Sequence, residues 1–243
     1  VSNALKMLDG EIIYKDFFHF IAPGADLYYA AAFRVFGQNI WVLNATILWL
    51  TIAQTLLLWL LSRKLLCGPV RYLPPVIFLV IGYRQFGIDG SYRLFSMVFV
   101  LMAVTVLFAR RSPKYVFVAG SLCGLATFFV QTRGVLAVAG ILAFVIWENI
   151  VERRGLRSIM VTACALIGSF LFSVVLTQSY FLWYAGYDNY YFAMVGFVRD
   201  YYKYDTCNSA GAYLSELPAI ADFFGETARY SVFSNQMRAA AVA

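Results

Sequence analysis

The chain has 243 residues, 62% of them apolar and 13% charged, with a mean hydropathy of +0.72. Soluble domains run at roughly 45–50% apolar and about 25% charged, so one water-soluble core is excluded and a bilayer is needed to solvate the surplus. The formal net charge of +6 does not point to nucleic acid, because Lys and Arg sit in small clusters between apolar runs and form no stripe or tail.

In chain order, residues 1–20 contain no long apolar stretch of the kind a cleaved leader has. Residues 11–37 begin too polar to span a membrane. Their second half is apolar and aromatic, which suits a helix lying at the membrane interface. A spanning helix needs about 20 mostly apolar residues. Six candidates follow, at 40–61, 72–86, 91–109, 115–130, 135–150 and 158–181. The second carries Pro74 and Pro75 in its first turn, where proline is tolerated. The fourth and fifth form a hairpin around a tight polar turn, Gln131-Thr132-Arg133-Gly134. Gly120 and Gly124 make a G-x-x-x-G on the fourth span, suited to close helix packing within the chain. Residues 184–205 are crowded with tyrosine, and 207–243 read as short amphipathic helices broken at Pro218.

Basic residues set the orientation. Arg63, Lys64, Arg71, Arg110, Arg111, Lys114, Arg153, Arg154 and Arg157 all fall in loops on one side, and the opposing turns and span ends within the bundle hold only Arg84, Arg93 and Arg133. The first group marks the cytoplasmic face. Residues 1–39 then lie outside, which calls for a span upstream of Val1 to carry them across. The expected fold class is all-α: a polytopic transmembrane helical bundle of about six spans plus an interfacial outer-face helix. Residues 1–39 are read as an outer loop with that helix, 40–183 as the bundle, and 184–243 as an outer Tyr-rich segment.

Chemistry is sought among the charged groups of the outer face. Asp9, Glu11, Lys15, Asp16, His19 and Asp26 gather in the first loop. A carboxylate there, half out of water, suits a general base acting on a hydroxyl; a solvated polar loop is the plainer reading. His19 is the only histidine, so a multi-histidine metal site is excluded, and no cofactor is indicated. Arg133 is placed either to hold a phosphate bidentately or to snorkel to lipid headgroups. Arg93 lies within the start of a span and is expected to pair with Asp89, with Arg84 nearby. Asp188, Arg199, Asp200, Lys203 and Asp205, set among tyrosines, suit a sugar-binding surface or an interfacial belt. Cys67, Cys123, Cys164 and Cys207 form no C-x-x-C and indicate neither disulfides nor zinc. No P-loop, dinucleotide, G-x-S-x-G or H-E-x-x-H motif is present.

The segment LDGEIIYKDFFHFIAPGADLYYAAAFRVFG resembles the first outer loop of GT-C type membrane glycosyltransferases, which include aminoarabinose-transferase-like and protein-mannosyltransferase-like enzymes. The matching residues are Gly10, Tyr14, Asp16, Phe17, Pro23, Gly24, Phe36 and Gly37. AGSLCGLATFFVQTRGVLAVAGILAFVIWE resembles a mid-chain hairpin of the same proteins, and the likeness of pattern reaches about Pro218. The resemblance implies an outer-face site and a polyprenyl-phosphate sugar donor. It implies a lipid, glycan or protein hydroxyl as acceptor, surrounded by membrane lipids. Asp16 and His19 are then the catalytic candidates, and Arg133, Arg93 and Arg84 the candidates for the donor phosphate. The superfamily's principal acidic residue follows its first span, upstream of the phrase that starts here at about Leu8, and so would precede Val1. A non-catalytic transporter or lipid flippase is the alternative. Such proteins place charge near the midplane, whereas here the span centres are nearly charge-free.

Overall fold

The computed structural model describes residues 2–85, 92–110, 112–153 and 155–201; Pro218 and the helices expected past residue 201 lie outside the described residues. Among the described residues every regular element is helical, apart from one isolated bridge between Ile13 and Phe17. A short helix α1, Ser2–Leu8, is followed by a folded loop, then α2, Gly24–Phe36, at the place expected for the interfacial helix. The six apolar runs are all helices: α3, Ile40–Leu65; α4, Leu73–Gln85; α5, Tyr92–Ala109; α6, Pro113–Phe129; α7, Gln131–Val151; and α8, Leu156–Ala185. A short α9, Tyr187–Tyr191, follows. The chain is therefore an all-α, multi-pass membrane protein. Helices α3, α5, α7 and α8 are long and apolar enough to cross a bilayer by length and composition alone. With 17 residues α6 spans about 26 Å, and with 13 residues α4 spans about 20 Å, less than a hydrocarbon core of about 30 Å.

Helix ends follow their local chemistry. Arg63 and Lys64 occupy the last turn of α3, where cations meet the negative end of the helix dipole. The Arg63 guanidinium also lies 4.5 Å from the Trp59 ring centroid. Gly186, at φ 81°, stops α8 in a backbone conformation that side chains resist. One expectation needs correcting. Gln131–Gly134 is not a turn between helices but the first turn of α7; only Val130, in extended conformation, separates α6 from α7. The reason is Gly134. A Cβ there would collide with Thr127 and with the Cys123 carbonyl, so only glycine lets the new helix stack at once on the old one.

Helix α6 is the axis of the bundle and packs on α5, α7 and α8. Gly120 and Gly124 bring its backbone onto α8. A Cβ at Gly120 would strike Ser169 and the Leu166 carbonyl, and one at Gly124 would strike Ser173 and the Phe170 carbonyl. The motif thus serves packing within the chain, as expected. Below it, Ala103, Leu107, Val116, Ala119, Cys123, Ile141, Val145, Leu166 and Phe170 form one buried cluster.

The helices are staggered at the end that carries α1 and α2. Trp49 and Gln54, well inside α3, contact Phe95 and Leu94 at the very start of α5. Residues 40–48 of α3, about 13 Å of helix, therefore reach past the start of α5. In the same way Phe181 of α8 meets Phe128 at the end of α6. Helix α2 fills the step. It buries Tyr29 and Phe33 against Phe95, and Tyr28 bonds to Thr46 and Trp49 of α3. Tyr14, Ile13 and Phe17 of the loop pack on Phe181 and Ala185 of α8.

The first compact unit ends at Met194, and a second begins at Val195. Of the second, the helix α10, Phe197–Asp200, is described; there Arg199 donates to both carboxylate oxygens of Asp200, at 2.7 and 3.0 Å.

Candidate functional site

The loop between α1 and α2 is built by its own side chains. The Asp16 carboxylate accepts the Ile12 N–H at 2.7 Å, and the Asp16 N–H donates to the Ile12 carbonyl at 2.8 Å. Asp16 is exposed, and its carboxylate closes this local turn. Tyr14 takes a left-handed φ of 69°, unusual without glycine. Its ring is buried edge-on to Phe181 and Tyr190, and its hydroxyl donates to the Ile21 carbonyl at 2.8 Å. Burial, with smaller contributions from Tyr190 and Asp26, pushes the Tyr14 phenol far above its ordinary range. Burial also pushes Tyr190 up to about 12. Tyr190 donates to Gln178 Oε1 at 3.1 Å. Both phenols therefore stay protonated donors at neutral pH.

The loop then delivers His19 to Asp26. His19 Nε2 lies 3.2 Å from Asp26 Oδ2, across the Pro23-Gly24 turn, with the two side chains only 18% and 13% exposed. On the other side of the ring, Asn3 Nδ2 lies 3.2 Å from Nδ1. An amide NH2 can only donate. Nδ1 then accepts from Asn3, and Nε2 is the ring nitrogen that faces the carboxylate. Asp26 sits in the first turn of α2, where the helix dipole favours a negative charge. Gly24 makes this placement feasible by resting on the backbone of Phe128, where no Cβ fits.

Arg133 and Arg93 come together from separate helices. Arg133, half-buried in the first turn of α7, donates to the Arg93 carbonyl at 3.0 Å and reaches Ser96 Oγ at 3.5 Å. The Arg93 side chain is exposed, with its guanidinium 5.9 Å from the Tyr92 ring centroid. Both arginines stand at helix N-termini, whose free N–H groups add positive potential. Arg84, through its side chain, and Asp89 lie outside the described residues, as do Lys203 and Asp205. Asp188 is exposed in the first turn of α9.

Gln131 joins the two groups. Its Nε2 donates to the Phe20 carbonyl at 3.0 Å, and its Oε1 accepts from the Ala22 N–H at 3.3 Å. The segment just after His19 is thereby fixed to the helical turn that carries Arg133. Among the described residues no group of three or more His, Cys, Asp or Glu side chains converges as a metal site would require. Sequence reasoning named His19, Arg133 and Arg93. It did not single out Asp26 as the partner of His19, nor Asn3 or Gln131. The usable signal was the Pro-Gly turn between His19 and Asp26, which folds the chain back on itself.

Residues 21–177 match the family described as dolichyl-phosphate-mannose-protein mannosyltransferase. The match takes in Asp26, Arg93, Gln131 and Arg133, and it begins just after His19. No curated protein and no solved structure matches the chain. The match covers more than half of the sequence, runs through a helical membrane bundle and includes both Arg93 and Arg133; the chain belongs to this family of membrane glycosyltransferases.

Proposed function

We propose that this protein moves a sugar from a polyprenyl-phosphate donor to a hydroxyl of a lipid, glycan or protein, at the extracytoplasmic face of the cell's plasma or inner membrane. The observation that carries this reading is the largely shielded His19–Asp26 pair, tied through Gln131 to the turn bearing Arg133. A base and a phosphate clamp are what such a transfer needs on the two sides of the anomeric carbon.

Asp26 takes the proton from the acceptor hydroxyl. The freed oxygen bonds to the anomeric carbon as the bond from that carbon to the phosphate oxygen breaks, and the lipid phosphate leaves with the electron pair. His19 orients the carboxylate and is itself oriented by Asn3, the arrangement in which a base is steadied by a third group. Asp16 shapes the loop through its turn with Ile12. Arg133 and Arg93 face the leaving phosphate. The Arg133 guanidinium is held against the Arg93 carbonyl and the Arg93 side chain is exposed beside it, so a bound anion gains charge-assisted hydrogen bonds there. Fixed donors aimed at a developing charge supply much of the rate in such steps.

The test is sugar transfer from a labelled polyprenyl-phosphate donor by the full-length protein in proteoliposomes, set beside uptake of the labelled solute. Transfer is expected in the wild type and a loss of about a hundredfold or more in Arg133→Ala, as for removal of a single transition-state donor. Uptake without glycoside formation overturns the reading in favour of a transporter. Wild-type rates in Arg133→Ala remove Arg133 from the site.

A further inference from the structure

We infer that Gln131 and Tyr14 are positioning residues that set His19 and Asp26 at a fixed place relative to Arg133. The inference rests on the transferase reading above and extends it to two residues that touch no reacting atom.

Phe20, Ile21 and Ala22 belong to neither helix nor strand, so their backbone groups must find partners elsewhere. Two side chains, Gln131 from a distant helix and Tyr14 from the same loop, meet one group on each. The Phe20 carbonyl and the Ala22 N–H are held by the two ends of the Gln131 amide, which replaces a strand's peptide group. The Ile21 carbonyl between them is held by the Tyr14 hydroxyl. Immediately before this tripeptide stands His19, and four residues after it stands Asp26. Gln131 is the first residue of α7, and Arg133 shares its turn. The amide therefore converts the position of one helical turn into the position of the catalytic pair. Tyr14 is anchored independently, by edge contacts with Phe181 and Tyr190. The left-handed backbone at Tyr14 is strained for a residue with a side chain, and the burial of its ring offsets that strain. Catalytic groups displaced by about 1 Å lose on the order of a hundredfold in rate, so holding this segment has a kinetic effect out of proportion to three hydrogen bonds.

The experiment uses two variants of the full-length protein in proteoliposomes. Gln131→Met keeps the length of the side chain and removes both bonds; Tyr14→Phe removes only the hydroxyl. Each is expected to lower kcat by about tenfold or more while KM for the donor stays within about twofold. Each should also speed amide exchange at residues 20–22. In an Asp26→Asn background, where the base is already gone, Gln131→Met should cost little further kcat, because it acts through the pair. Full additivity with Asp26→Asn, or unchanged exchange and kcat in both variants, overturns the inference. Should the wild type transfer no sugar, the functional reading falls; faster exchange in Gln131→Met would then still establish the clamp.

Discussion

Gly24 rests on the carbonyl of Phe128: a Cβ added to Gly24 would stand 2.5 Å from that oxygen. The contact seats the first turn of α2 on the last turn of α6, and with it Asp26. Gly24→Ala should push the two apart at a cost of about 1–3 kcal/mol, the usual penalty for overpacking. Thermal unfolding in detergent reads the loss. An unchanged melting temperature would show that the helices separate freely here.

A second close backbone contact lies deeper in the bundle. Gly120→Val places a branched side chain against Ser169 and the Leu166 backbone of α8. A loss of about 1–3 kcal/mol is expected again. The companion change Gly140→Val, where nothing lies within 4 Å of an added Cβ, should unfold at nearly the wild-type temperature. Equal melting of the two variants would contradict close α6–α8 packing.

Asp26 and Asp16 separate cleanly by environment. The Asp26 carboxylate faces His19 in a nearly buried site, whereas that of Asp16 is exposed and serves its own turn. Asp26→Asn should reduce kcat by about a hundredfold or more, in the range of lost general-base catalysis. Asp16→Asn keeps an oxygen to accept the Ile12 N–H and should stay within about threefold of wild type by its limited structural change. The reverse order of effects would assign the base to Asp16.

Tyr190 gives a pH signature. Its folded-state value is raised to about 12 by burial, against about 10 for an unfolded tyrosine. Above pH 10 the folded chain therefore binds more protons than the unfolded one, and stability falls as pH rises. The contribution is complete below about pH 10 and lost through about pH 12. Tyr14 is shifted in the same direction. Unfolding of the wild type should grow easier across that window, and Tyr190→Phe should flatten the decline. A decline already under way at pH 8 would sink this account.

Much of the bundle was legible in the sequence. Long apolar runs leave helix as the sole spanning structure besides a closed barrel, and each of the six runs is helical near its expected bounds, four of them long enough to cross a bilayer. The turn at Gln131–Gly134 misled because its polar residues look like a loop, while Gly134 makes the next helix start at once. Arg133 and Arg93 were visible as charges at span edges, read as a phosphate or headgroup contact and as a partner of Asp89. The His19–Asp26 pair was not, since it forms across an aperiodic turn and no spacing rule relates its members. Gln131 was hidden for a different reason: its partners are backbone atoms 109 and 111 positions away, and backbone carries no sequence signature.

The single residue Val130 between α6 and α7 also fixes an angle. Successive helical residues are turned by about 100° around the axis. One residue inserted at this joint would spin α7 by that amount against α6, carrying Gln131 away from Phe20 and Arg133 away from Arg93 together. Length variation among relatives should therefore be absent at this joint, and the two side chains should be inherited as one rigid register.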